Sequence, residues 1–219
     1  MERLTVDIER CIDVVSGGCG LTAKMLERLT PGVERARKAV LEAGGAGMLG
    51  WTELPRQDPE EILEYAALCA GQFECLLVIG IGGSALGTRA LATALLPFYY
   101  NELNAAERER RPRLYILDNV DPDETSALLD RLDLERTLVN VVSKSGMTGE
   151  TMAAYLVARE RLEGAVGPAA LKDRLVFTTE STGSTLRAIG SSLGVRMFDL
   201  PPGVGGRFSV LSVVGLLPA

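Results

Sequence analysis

From Cys75 to Leu200 the chain repeats one pattern, a short apolar run followed by a stretch with helical spacing. The runs are "CLLVIGIGG" (75–83), "RLYILD" (113–118), "TLVNVVS" (137–143), "RLVFTT" (174–179) and "VRMFDL" (195–200). Helical spacing fills 86–98, 123–133, 149–163 and 183–193. Runs this short and apolar suit strands covered on both faces, and parallel neighbours need crossovers, which the helices supply. The pattern predicts an α/β fold, a three-layer αβα sandwich around a five-stranded parallel sheet.

Residues 1–70 read as an N-terminal helical segment, and 71–219 as the sheet-bearing domain. "LERLTPGVERARKAVLEAGG" (26–45) has helical spacing and a Gly-Gly stop. "GAGMLGWTELP" (45–55) is a turn-rich connector. "QDPEEILEYAALCAG" (57–71) then offers Asp58 as N-cap, Pro59 at the first helical position and acids in the first turn. The charge run "NELNAAERERRPR" (101–113) reads as a solvated helix end or loop.

Several function classes are excluded at this level. A net charge of −6 argues against nucleic acid as a partner, because backbone phosphates need a basic surface. No uninterrupted apolar run reaches the length of a membrane span. "MERLTVDIER" lacks the apolar centre of a signal peptide, so the expected location is cytoplasmic. Cys11, Cys19, Cys69 and Cys75 form no C-x-x-C pair, and the chain has no histidine, so no zinc site is expected. The thiols read as buried and free.

In an open parallel sheet, ligands bind beyond the carboxyl ends of the strands. Two strands here end in loops with the right chemistry. In "IGIGGSALG" (79–87), the glycines at 80, 82, 83 and 87 let the backbone turn tightly and approach a ligand, and Ser84 is expected at the start of the next helix. In "VVSKSGMTGET" (141–151), Ser143, Ser145 and Thr148, with Lys144 among them, follow one strand and precede a helix. The plainer reading makes these hydroxyls helix caps. Three hydroxyls and a lysine clustered at one strand end, with a glycine loop on another strand, favour an anion site, since each charge-assisted hydrogen bond contributes about 1.5–3 kcal/mol. A dinucleotide site is disfavoured. It expects G-x-G-x-x-G and an acid about 20 residues on, whereas Ala85 breaks the spacing and Asp118 lies roughly twice that far from Gly80. No G-K-[ST] follows the glycines either.

"VIGIGGSALG" (78–87), "VVSKSGMTGETM" (141–152) and "VGGRFSVLSVVGLLP" (204–218), with the connector "GWTELP" (50–55), together resemble the phosphoglucose isomerase family of bacterial type. The resemblance runs over most of 50–219. It implies the sugar-isomerase fold, a five-stranded parallel sheet between helices. It implies that Gly83 and Ser84 contact substrate. It makes Ser143, Lys144, Ser145, Gly146, Met147 and Thr148 the phosphate loop, with Ser143, Ser145 and Thr148 as the phosphate hydroxyls. Arg207 matches the arginine that stabilises negative charge on the reacting carbons. The implied substrates are glucose 6-phosphate and fructose 6-phosphate, with no metal or organic cofactor, because a side-chain carboxylate moves the proton. Family members act as dimers, which implies self-association.

The chain departs from that family at two places. Met147 stands where a threonine is usual, which either removes a hydrogen bond or turns a side chain into helix packing. The family's catalytic glutamate, ring-opening histidine and a further lysine lie downstream of the arginine motif, and this chain has no histidine. The apolar run "FSVLSVVGLLPA" (208–219) is expected to be covered by something that follows it, the alternative being a C-terminal helix that packs under the N-terminal segment. The chain therefore reads as the first half of an isomerase, inactive by itself, whose partner is a C-terminal half or second subunit. The alternative is a phosphosugar-sensing module of the same fold, which has little need for Arg207. A purely structural half-domain would bind no phosphosugar.

Overall fold

The computed structural model describes residues 5, 7–12, 18–43 and 49–219. Its contacts divide the chain into two units, Met1–Gly44 and Gly45–Ala219. In the first, helix α1 (Ala23–Ala43) starts where the Thr22 hydroxyl accepts the Met25 N–H. None of the residues of α1 is buried. The expected Gly44–Gly45 stop lies outside the described residues, as does the 45–48 part of the connector.

In the second unit, α2 (Glu60–Cys69) carries the expected acids Glu60 and Glu61 in its first turn, but Pro59 and not Asp58 holds the N-cap position, one residue later than expected. The Asp58 carboxylate accepts the Glu60 N–H at 3.0 Å, and Pro59 offers its carbonyl to Ile62 and Leu63. The strands are β1 (Cys75–Ile79), β2 (Arg113–Leu117), β3 (Thr137–Val142), β4 (Leu175–Glu180) and β5 (Arg196–Leu200). They form one fully parallel sheet in the order β2-β1-β3-β4-β5. The crossovers are α3 (Leu86–Leu95), α4 (Pro122–Leu129), α5 (Gly149–Val166) and α6 (Thr185–Leu193), and a short α7 (Val213–Leu216) follows β5.

Every residue of β1 and β3 is buried, as strands covered on both faces must be, whereas edge strand β2 buries only Leu117. On one face Leu77, Val139 and Phe177 pack against Tyr155 and Leu162 of α5 and Leu186 of α6. On the other, Val78, Val142 and Val176 pack against Ile62 of α2 and Val213 and Val214 of α7. Each such side chain contributes about 1.5–3 kcal/mol when fully buried. The three layers expected from the repeat are present.

Three expectations need correction. Cys11 and Cys19 are exposed, Cys69 is half-buried and only Cys75 is buried, because thiol burial follows tertiary packing that composition does not report. The charge run at 101–113 is not uniformly solvated. Arg108 is 3% exposed and donates to the carbonyls of Leu103 and Arg111, beside the Glu74 carboxylate that also meets Arg113 and Arg136. The apolar run at 208–219 finds cover within its own unit, since Val213, Val214 and Leu217 lie in the second core. Phe208 and Leu211 remain exposed.

Candidate functional site

The chain passes from β1 to β2 on one side and returns to β3 on the other, so the loops after β1 and β3 leave the sheet side by side. Closeness there demands glycine. A Cβ on Gly80 would stand 2.8 Å from the Ser84 Cβ and 3.1 Å from the Val142 carbonyl oxygen. Gly82 has φ +57, a left-handed turn that favours glycine. Ser84 closes the short turn Gly82–Ser84, ahead of α3 rather than on it, and its N–H donates to the Ile81 carbonyl. The Ser84 amide is therefore occupied within the turn and is not one of the free N–H groups of a helix start.

The loop after β3 is held from within and from β4. Ser143 is 1% exposed, and its hydroxyl accepts the Gly146 N–H at 3.1 Å and lies 3.5 Å from the Thr148 hydroxyl. The Ser145 hydroxyl accepts the Met147 N–H. The Lys144 carbonyl accepts the Glu180 N–H and the Thr179 hydroxyl, and the Ser145 carbonyl accepts the Thr185 N–H. Gly146, at φ +67, sits against the first residues of α6. Met147 is 71% exposed, so its side chain faces solvent at the loop tip and not the helix packing.

Thr148 decides between cap and ligand contact. It occupies the N-cap position of α5, yet its side chain makes no capping hydrogen bond. Asp121, Ser184 and Ser212 at the starts of α4, α6 and α7 all do. A long helix thus presents an uncapped N-terminus, with its partial positive charge, beside hydroxyls and Lys144.

The third motif meets the other two. A Cβ on Gly83 would lie 2.2 Å from the Gly206 carbonyl oxygen, so the two backbones touch. The Ser209 hydroxyl donates to the Gly83 carbonyl at 3.1 Å. Lys144 Nζ reaches the Val204 carbonyl at 3.4 Å and Glu180 at 3.4 Å, tying the β3 loop to the arginine loop. Arg207 is exposed in the turn Gly206–Phe208, and no ion pair engages it among the described residues. Gly83, Ser84, residues 143–148 and Arg207 therefore stand on three loops, of which the arginine loop touches both of the others. Asp118, the acid weighed for a dinucleotide, is engaged by Arg89 at 2.8 Å.

Thr179, Glu180 and Ser184 escaped the sequence reading, although they fasten the β3 loop. Their only signal is the hydroxyl-rich "TTESTGST" (178–185) that runs from the end of β4 into the next helix. A wide groove of about 810 Å³ lies elsewhere, between α3, β2 and α4, and none of these site residues lines it. Among the described residues no cluster of three or more His, Cys, Asp or Glu could hold a metal. No helix among them is long and apolar enough to cross a membrane.

Fold and loops together define a doubly wound parallel α/β protein with polar loops gathered at its switch point. The chain belongs to the phosphoglucose isomerase family, whose model matches residues 64–219. It is 43% identical to the glucose-6-phosphate isomerase of Carboxydothermus hydrogenoformans over 178 residues, 81% of this chain and 38% of that protein. It is 40% identical to that of Rubrobacter xylanophilus, over 100% of this chain and 49% of the relative. Among solved structures, a hypothetical protein from Thermus thermophilus superposes with a TM-score of 0.76 at 39% identity, covering 89% of this chain and 45% of the other. A glucose-6-phosphate isomerase from Chlamydia trachomatis gives 0.61 at 32% identity, covering 72% and 28%. The chain spans less than half the length of these relatives.

Proposed function

We propose that the chain supplies the phosphate-binding half of an aldose–ketose isomerase that interconverts glucose 6-phosphate and fructose 6-phosphate. The observation that carries this reading is the convergence of three loops, with Gly83 against Gly206 and Lys144 bonded to Val204. The phosphate is held by the hydroxyls of Ser145 and Thr148, the uncapped start of α5 and Ser84. Ser143, buried with its hydroxyl on the Gly146 N–H, shapes the loop and offers its remaining hydrogen-bonding capacity. Residues 71–219 serve as the phosphosugar-binding domain and 1–70 as its N-terminal helical segment, of which α2 packs on the domain's sheet.

Anchored there, the open-chain sugar places its C1–C2 end towards the arginine loop. A base removes the proton from C2, and the resulting cis-enediolate is reprotonated at C1. Arg207, free of a carboxylate partner among the described residues, stabilises the charge on the enediolate oxygens, where fixed donors act most strongly. The proton-moving carboxylate and the ring-opening groups come from a downstream part or a second subunit. No cofactor is required for a carboxylate proton shuttle. The working location is the cytoplasm, where sugar phosphates are handled.

Calorimetric titration with fructose 6-phosphate tests this reading. Replacing Ser145 and Thr148 together by alanine is expected to weaken binding roughly a hundredfold or more, at about 1.5–3 kcal/mol per lost bond. Equal affinities of parent and double variant would contradict the assignment, and no binding by the parent would contradict a binding-competent half. Isomerisation by the same purified chain is expected to be negligible, for want of a proton-moving group.

A further inference from the structure

The connector "GWTELP" has no part in the chemistry above, yet residues 50–57 grip the arginine loop at three points. The Gly50 N–H donates to the Gly203 carbonyl at 3.0 Å, and a Cβ there would lie 2.4 Å from the Pro202 carbonyl oxygen. Trp51 stacks on Phe208 with ring centroids 5.5 Å apart and 20° between planes. The Gln57 side-chain amide donates to the Leu211 carbonyl. The contacts therefore fall on both ends of the loop and on the residue next to Arg207.

Burial does not explain Trp51. It is 38% exposed and Phe208 is 45% exposed, whereas Leu54, at 5%, provides the connector's packing. Arg207 has no ion pair to hold it among the described residues, so its position follows from the backbone of Gly206–Phe208. Gly83 bounds that turn on one side, and the aromatic stack holds its last residue.

We propose that Trp51 is a positioning residue for Arg207, acting through Phe208 to hold the arginine turn in place against the glycine loop. The role rests on the reading of Arg207 as the group that meets charge on the reacting carbons. A residue of this kind changes how well the site accepts that charge and leaves the phosphate end alone.

Two measurements on the 219-residue chain test it. In the first, amide hydrogen exchange of Trp51→Ala is expected to rise at least about tenfold at residues 205–209 and to stay unchanged at 143–148, because only the arginine turn loses its support. Trp51→Phe, which keeps a stack, restores protection. Unchanged exchange at 205–209, or loosening spread equally over both loops, overturns the proposal.

The second compares two probes, D-arabinonate 5-phosphate, whose carboxylate stands for the enediolate charge, and D-arabinitol 5-phosphate, which has none. Trp51→Ala is expected to weaken the arabinonate about tenfold and the arabinitol less than about twofold, with no further loss in an Arg207→Ala background. Equal weakening of both probes, or an undiminished effect without Arg207, overturns it. A parent chain that binds neither probe would fault the phosphosugar reading, and the exchange measurement then decides the holding role by itself.

Discussion

Replacing Gly146 by alanine is expected to lower the melting temperature by roughly 10 °C and to remove fructose 6-phosphate binding. Two costs add. At φ +67 an L-residue is strained by about 1–2 kcal/mol. The new Cβ would also stand 2.3 Å from the Leu186 backbone nitrogen and 2.7 Å from the Ser184 hydroxyl. Overpacking of this kind costs about 1–3 kcal/mol, and each kcal/mol shifts the midpoint by about 2–4 °C in a chain of this size. Relief requires the β3 loop to move off α6, which carries Ser145 and Thr148 with it. Calorimetric melting and titration check both halves. Gly164→Ala, in α5 with nothing within 4 Å of the added Cβ, is the control that should leave both unharmed. A Gly146→Ala protein that melts with the parent would contradict the packing described here.

Gly83→Ala is expected to separate stability from binding. Its Cβ would lie 2.2 Å from the Gly206 oxygen and 2.4 Å from the Gly206 carbonyl carbon. Both are backbone atoms, so no flexible side chain can yield. The strain is confined to the contact between two loops, and the fold should lose only about 1–3 kcal/mol. The Ser209 bond to the Gly83 carbonyl stretches as the loops part, and the site opens. Affinity for D-arabinonate 5-phosphate, which spans both loops, is expected to fall at least about tenfold, the worth of one charge-assisted bond. Undiminished affinity would show that the glycine and arginine loops do not form one site.

The central strands were readable because β1 and β3 are buried on both faces, which leaves a run of five or six apolar or small residues with no alternation. Helix ends were less so. The expected 86–98 helix stops at Leu95, because Leu96 precedes Pro97 and a residue before proline disfavours helical backbone. The boundary at residue 70 followed the change of period, while contacts divide the chain at Gly44 and place Ile62 of α2 in the sheet's core. Strand order, which brings the two loops together, is a non-local property that no window of sequence carries. Arg108 shows the same limit. Its charge run looks solvated until Glu74, far away in sequence, is seen beside it.

Within the site, residue types were legible and their hydrogen bonds were not. Ser143, Ser145 and Thr148 look alike in sequence, yet one hydroxyl is buried on Gly146, one closes a turn on Met147, and one stands at a helix start without capping it. Trp51 and Phe208 give no local sign that they stack, because the pairing depends on the fold.

The most direct measurement is an amide chemical-shift map of the isotopically labelled chain titrated with fructose 6-phosphate. Saturable shifts centred on Gly146–Gly149, with a second group at Gly83–Ser84, are the predicted result. Shifts confined to the groove between α3, β2 and α4, or none at millimolar ligand, would contradict a phosphosugar site at the switch point.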